Sequence, residues 1–257
     1  MNYIEQGYST NSFNQLDMLK RMKIIKISFI FLIIIFGMRA IYSTLFAILY
    51  LIHGMNFSST IAYVAMNIIS IIFNYSSIAL AIALIILFGL SFFSFSNNFN
   101  SEVQQNLRLS AILLISYLGF EFIMLFLVNV IYLYLFPITL QSRMIFYIIT
   151  NIISTALLLS AIVFMNFTIQ KTHKFGLNSK INLTSAYIVI IIGIVKAIYY
   201  IIYLVYNLPY YSYTIVLVSY SIAIIICFIE YILYLNNFNI TKIPEQEFGL
   251  PLPREEI

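Results

Sequence analysis

The chain has 257 residues, of which 62% are hydrophobic and only 9% charged, whereas an ordinary soluble domain is about 25% charged. That composition excludes a soluble domain, and one membrane domain fills nearly the whole length, leaving no room for a separate catalytic or nucleotide-binding unit. The formal net charge of +4 comes mostly from basic residues beside apolar runs, where membrane-flanking positives belong, so it points to no nucleic-acid partner.

In chain order, residues 1–23 form a polar and basic head, with the spacing of a brief interfacial helix at Leu16, Leu19 and Lys20. Lys20, Arg21, Lys23 and Lys26 then lead into a first apolar run, residues 27–52. Its 26 residues make about 39 Å of helix, enough to cross a hydrocarbon core of about 30 Å. The run is too long for the core of a cleaved signal peptide, and no small-residue cleavage site follows it. The second span is expected within residues 60–93, with a polar connection at 94–108. Spans three to six are expected at 109–135, 144–169, 185–206 and 213–235, and residues 236–257 form a polar tail with Pro244, Pro251 and Pro253.

These limits predict an all-α polytopic integral membrane protein whose six transmembrane helices form three hairpins within residues 24–235. Six crossings put both termini on one side. With that side cytoplasmic, Lys20, Arg21, Lys23, Lys26, Arg108, Lys171, Lys174, Lys180, Lys242 and Arg254 face inward and Arg143 alone faces outward, which satisfies the positive-inside rule. A multi-pass protein of the cell membrane is therefore expected. Asn56-Phe57-Ser58 is a sequon on the outer side, but asparagine is frequent enough here for it to arise by chance.

Three of the spans carry a charge at their centre. Phe36-Gly37-Met38-Arg39 lies in span one, Leu118-Gly119-Phe120-Glu121 in span three, and Gly193-Ile194-Val195-Lys196 in span five, each with a glycine two or three residues before the charge. Glu230 in span six is the fourth intramembrane ionisable residue. A charge at the bilayer centre costs about 2.5–3.5 kcal/mol on the insertion scale, so these groups are expected to face one another or water. Arg39 and Glu121 match in depth, each 13 residues beyond a basic residue at the same predicted surface, Lys26 and Arg108. Lys196 and Glu230 form the second expected pair, on adjacent antiparallel helices. Two roles fit the cluster: a transport pathway in which a carboxylate takes up a proton or cation beside a tuning cation, or paired charges that fix how the helices assemble. Asn74, Asn129, Asn151 and Ser160 are candidate polar lining, although interhelical hydrogen bonding accounts for such residues equally well.

Internal matches suggest repeated hairpins. Arg39-Ala40-Ile41-Tyr42 parallels Lys196-Ala197-Ile198-Tyr199, each after a triple isoleucine, and Asn67-Ile68-Ile69-Ser70 parallels Asn151-Ile152-Ile153-Ser154. Asn98-Phe99-Asn100, Asn166-Phe167-Thr168 and Asn237-Phe238-Asn239 recur at the same predicted membrane surface. A chain rich in Ile, Asn, Phe and Tyr also yields short matches from composition alone. True parallel repeats would bring spans one, three and five together around an axis along the membrane normal.

Enzyme chemistry finds little support, and no cofactor or metal is expected. His53 and His173 fall on opposite sides of the predicted membrane, no His-Glu-x-x-His run exists, and Asp17 is the only aspartate. Cys227, the single cysteine, reads as a small packing residue. With no tryptophan and 21 tyrosines, the gathering of Tyr199, Tyr200, Tyr203, Tyr206, Tyr210, Tyr211 and Tyr213 reads as an interfacial aromatic belt, with a ligand pocket as the alternative.

The alternation of hairpins, the basic segment entering each odd helix, the glycine at its middle and the Ile, Tyr and Asn bias together resemble uncharacterised six-span membrane proteins of thermoacidophilic archaea. The resemblance implies a six-span helical membrane protein and transfers no activity and no site residues. The sequence therefore leads to a transporter-like protein in contact with the lipid bilayer, with self-association or other membrane subunits as further partners. The rival is a non-catalytic structural subunit of a larger complex, such as the permease half of an ATP-driven exporter, whose coupling helix would lie at residues 98–108.

Overall fold

The computed structural model describes residues 4–53, 61–97, 99, 101–126, 140–174, 184–206, 208 and 210–238. All the regular structure among them is helical: α1 (Ile4–His53), α2 (Ile61–Ser96), α3 (Ser101–Phe126), α4 (Leu140–Lys174), α5 (Thr184–Val205) and α6 (Tyr210–Asn236). Each contains a stretch long and apolar enough to cross a membrane.

Every helix packs on the next in sequence, and α6 returns to pack on α1, so the six close into a ring. Within it, α4 against α5 is the slenderest interface and α1 against α6 the broadest. The reason is legible in the periodicity. On α1 the buried residues Met18, Met22, Ile25, Phe29, Leu32 and Phe36 recur at alternating steps of four and three, while Ile27, Ile30, Ile34, Ile41, Leu45 and Ile48 are exposed on the other side. That spacing keeps one stripe facing the bundle as the helix turns. In water the outer stripe would be a large apolar patch; in a bilayer it is the lipid-facing surface. Arg39 and the buried Ser43 continue the inner stripe.

The starts of α1, α3 and α5 share one face of the bundle with the ends of α2, α4 and α6. Lys171 at the end of α4 pairs with Glu102 at the start of α3, and Arg108 Nη2 donates to Asn97 Oδ1 at 2.6 Å. The Thr172 and Tyr234 hydroxyls meet at 3.0 Å, and the rings of Phe99 and Phe238 pack edge to face at 5.8 Å. This is the basic face, carrying Lys20, Arg21, Lys23, Lys26, Arg108, Lys171 and Lys174.

Between the basic face and the middle of the bundle the interior is filled. Phe29 of α1 packs on Phe88 of α2 at 5.7 Å, stacks on Phe228 of α6 at 5.5 Å, and touches Tyr231 at 5.7 Å. All four rings are buried, with Leu114 of α3 and Ile162 of α4 beside them. The Tyr231 hydroxyl finds partners within this apolar layer, donating toward the Ile162 carbonyl at 3.3 Å and Asn166 Oδ1 at 3.2 Å.

Several expected limits shift. Residues 4–23 belong to the same continuous helix as span one, so the head is not a separate element. The expected connection at 94–108 is shorter than that range, because α2 runs on to Ser96 and α3 starts at Ser101. The proposed coupling helix is thus mostly the first two turns of α3. The physical reason is that Glu102, Gln104, Gln105 and Arg108, polar enough to suggest a loop, are good helix formers, and Val103 and Leu107 among them still point into the bundle. The end of expected span three, the sequon at Asn56 and the tail from 239 onward lie outside the described residues.

Candidate functional site

The inner stripes of α1, α3 and α5 carry their charges into the ring at its mid-depth. Lys196 stands twelve residues after Thr184 and nine before Val205, in the middle of α5, and follows Ala186, Val189 and Gly193 on that helix's buried face. Glu121 lies one turn beyond the buried Tyr117 on α3. Arg39 lies three residues beyond Phe36 on α1. These spacings place an aromatic ring and a charge one turn apart on both α1 and α3, and the two helices meet through both layers. Phe36 stacks on Tyr117 with ring centroids 6.4 Å apart, and Arg39 reaches Glu121 Oε2 at 2.8 Å and the Tyr117 hydroxyl at 3.2 Å.

Ser154 of α4 donates to the other Glu121 oxygen, Oε1. Glu121 is therefore held on both oxygens, by Arg39 on one side and Ser154 on the other. Lys196 Nζ donates to Thr155 Oγ1 at 3.1 Å and sits 4.7 Å from the centre of the Tyr220 ring on α6. Thus two polar sets, Arg39–Tyr117–Glu121–Ser154 and Lys196–Thr155 with the Tyr220 ring, stand side by side, and α1, α3, α4, α5 and α6 each contribute a side chain to the same site.

Next to this network is a cavity of about 300 Å³. Arg39, Glu121, Ser154 and Lys196 lie at its inner end, and Thr150, Asn151, Phe146, Met124 and Tyr200 extend the lining away from the basic face. A much smaller void of about 30 Å³ adjoins the cluster at Thr155, Tyr220 and Ser221. Among the described residues, two buried side-chain polar atoms have no hydrogen-bond partner: Asn151 Oδ1, of a residue in the wall of the larger cavity, and the Tyr220 hydroxyl, of one in that of the smaller. Buried polar atoms are nearly always satisfied, so their concentration here marks the site as unlike the rest of the interior.

Of the residues singled out in the sequence, the structure brings Arg39, Glu121 and Lys196 into one cavity and adds Asn151 to its wall. It separates Glu230, whose Oε2 accepts from Ser185 of α5. Ser185 and Lys196 are 11 residues apart on one helix, about 16 Å along its axis, so the expected Lys196–Glu230 pair does not form. The sequence already places Glu230 nearer the basic end than Lys196, a gap for the lysine stem or a water to bridge, and the offset is too large for either. Ser160 is half-buried on α4 and takes no part in the lining. Asn74 lies in α2 with its side chain outside the described residues, as Asn129 is altogether.

Tyr117, Thr150, Ser154, Thr155 and Tyr220 complete the site and were not singled out. For two of them a signal was present: Tyr117 precedes Glu121 by four residues, and Ser154 ends the Asn151-Ile152-Ile153-Ser154 match. The tyrosine group at the far end of α5 and α6 is also more internal than a belt requires. Tyr213 is buried, its ring stacks on Tyr203 at 5.4 Å and packs on Tyr200 at 5.0 Å, and its hydroxyl lies 3.5 Å from Asn151 Nδ2. Tyr206, by contrast, is exposed.

The three glycines likewise divide. A methyl group on Gly193 would lie 2.9 Å from both Leu159 terminal carbons and 3.1 Å from Tyr220, whereas nothing lies within 4 Å of the corresponding points on Gly37 and Gly119. Only in α5 does the glycine permit a close approach. Among the described residues no group of three or more His, Cys, Asp or Glu side chains stands ready for a metal. Cys227 is buried in the helix packing.

The fold defines a multi-pass membrane protein of six helices. The chain matches no protein-family profile, no curated protein and no solved structure.

Proposed function

We propose that the protein is a transporter-like protein of the cell membrane, with both chain ends in the cytoplasm, and that it moves a small solute through the cavity around Arg39, Glu121 and Lys196 without catalysing a reaction. The observation that carries this reading is the cavity itself. A purely structural set of charges has no need of 300 Å³ of space beside it, since paired groups close on one another and apolar packing excludes the rest. The layer of Phe29, Phe88, Phe228 and Tyr231 supports the reading further. It fills the interior on the basic side of the charges, leaving the cavity on the other side, as a pathway blocked at one end requires.

The test is solute-driven or proton-driven flux into proteoliposomes across a pH gradient, comparing the wild type with Glu121→Gln and Arg39→Gln in equally folded samples. Flux in the wild type and its loss in both variants is the expected result. A wild type that supports no flux, with variants that are only less stable, removes the transport reading.

That second outcome favours a subunit that packs into a larger membrane complex, and one observation speaks for it. Arg39, Glu121 and Ser154 tie α1, α3 and α4 together through a carboxylate engaged on both oxygens, which is what an assembly clamp does. Purification from native membranes distinguishes the two, because a subunit copurifies with its partner.

A further inference from the structure

The charges at the cavity do not balance. Arg39 is matched by Glu121 at 2.8 Å, and Glu121 gives its remaining oxygen to Ser154. Lys196 is only 8% exposed, yet it enters none of the ion pairs among the described residues. Its ammonium has the Thr155 hydroxyl and the Tyr220 ring face as neighbours. Both moderate a positive charge and neither neutralises it. Glu230, the other interior carboxylate, is engaged with Ser185 about 16 Å further along. The site thus holds one cation in excess, on a group with three donors that borders an open cavity.

We propose that this cavity binds a small organic monocarboxylate, with its carboxylate on Lys196 and its carbon body against Phe120, Phe146 and Leu217. The proposal deepens the transport reading and rests on it for the consequence that the bound anion is the species carried. One uncompensated cation calls for one negative charge; a dicarboxylate would bring a second into a low-dielectric site already holding Glu121. Beside the charges the lining holds Phe120, Met124, Phe146 and Leu217, which favours an anion with a hydrocarbon portion over chloride or phosphate. The cavity is at the small end of the range for ligand pockets, so the acid has few carbons.

A second group on the ligand is also specified. Asn151 Oδ1 is a buried acceptor with no donor opposite it, and Nδ2 of the same side chain makes only a long contact to Tyr213 at 3.5 Å. Asn151 lines the cavity, and a turn of its amide, held only by that long contact, would bring the oxygen to a hydroxyl on the acid, which would then donate to it. Among monocarboxylates of one size, a hydroxy acid is therefore favoured over the plain acid, and the uncharged amide of either is rejected because it leaves Lys196 unmatched.

Isothermal titration of the full chain in nanodiscs of zwitterionic lipid, at constant chloride, tests this with sodium lactate, sodium propionate and lactamide. Saturable binding is expected for lactate, weaker binding for propionate and none for lactamide. Lys196→Gln is expected to weaken lactate binding about tenfold or more, the loss of one charge-assisted hydrogen bond. Asn151→Asp is expected to do the same by a different route, placing a carboxylate in the cavity for Lys196; it carries the test if Lys196→Gln does not fold. No saturable lactate binding by the folded wild type, equal binding of lactamide, or undiminished binding in both folded variants overturns the proposal. Lactate binding without flux retains the site and removes the transport reading, whereas flux of another solute without lactate binding does the reverse.

Discussion

Arg39 and Glu121 keep 33% and 26% of their side-chain surface exposed, so their pairing is partly screened. Removing one partner of a fully buried pair costs about 3–5 kcal/mol, because the other charge is stranded. The cost of Glu121→Gln or Arg39→Gln is expected below that range, and the double variant is expected to be more stable than the sum of the two losses predicts. Denaturant unfolding of the four proteins in one detergent measures this coupling, and strict additivity would show that the two side chains do not sustain each other. Asn151 makes the opposite case. Its unpartnered Oδ1 already costs stability, on the order of 1–3 kcal/mol for such a group, and the contact of its Nδ2 with the Tyr213 hydroxyl is long, at 3.5 Å. Asn151→Leu is therefore expected to leave the melting temperature unchanged or raised while weakening the binding of lactate more than that of propionate. A side chain that lowers stability and improves selectivity is one shaped by a ligand. The Arg39–Glu121 pair was legible in the sequence because both residues sit at the same count from a basic flank. The contact of Lys196 with Thr155 was not, because a hydroxyl partner leaves no charge signature, and the pairing of Lys196 with Glu230 failed because the offset in depth, visible in the sequence, is about 16 Å and beyond the reach of the lysine stem.

At the scale of the helix, the three glycines that precede the charges look equivalent in sequence and are not. Alanine in place of glycine favours a helix by about 1 kcal/mol. At Gly37 and Gly119, where nothing lies within 4 Å of the added methyl, most of that gain should appear as raised stability. At Gly193 the methyl meets Leu159 and Tyr220 at 2.9 and 3.1 Å, and overpacking of this kind costs roughly 1–3 kcal/mol. Gly193→Ala is thus expected to lower the melting temperature while the other two raise or preserve it. Because it presses on the ring beneath Lys196, it should also weaken carboxylate binding. The repeated motifs divide in a similar way. Ile41 and Ile198 are both exposed, following charges that both face the cavity, so Arg39-Ala40-Ile41-Tyr42 and Lys196-Ala197-Ile198-Tyr199 stand on matching faces of their helices. Phe99 and Phe238 are buried against each other, but Phe167 is exposed while its neighbour Asn166 is buried instead. Phe99 and Phe238 lie just past the ends of α2 and α6, whereas Asn166-Phe167-Thr168 sits within α4, so the three matches do not share one structural setting. The six apolar spans were legible, since lipid accepts few polar residues over a crossing, whereas the faces of α1 were not, both of its stripes being apolar. The helix ends were less legible, because polar residues are compatible with a helix wherever it leaves the membrane.

For the molecule as a whole, closure of the ring by α1 on α6 makes the position of the cavity relative to the two faces a property of the entire bundle. The basic face holds seven Lys and Arg side chains on α1, α3 and α4, all of which topology places together. Positive residues remain on the side from which a membrane protein is inserted, so this face is expected in the cytoplasm and the cavity is expected in the outer half of the bilayer. Two exposed positions report this directly: Lys174 at the end of α4 on the basic face and Tyr206 just beyond α5 on the other. The native Cys227 is 0% exposed and contributes little background. A membrane-impermeant maleimide applied to intact cells should label Tyr206→Cys, and should label Lys174→Cys only after permeabilisation. The reverse pattern would turn the cavity toward the cytoplasm and the aromatic layer outward. The expected pattern carries a mechanistic consequence. A solute entering from outside would meet Lys196 before it met the layer of Phe29, Phe88, Phe228 and Tyr231, so binding precedes any opening toward the cell. Shrinking that layer should then affect passage more than binding. Phe88→Ala is expected to leave the lactate affinity within about twofold, a shift of less than 0.5 kcal/mol, while changing the flux rate, and titration and flux on the same preparation separate the two effects.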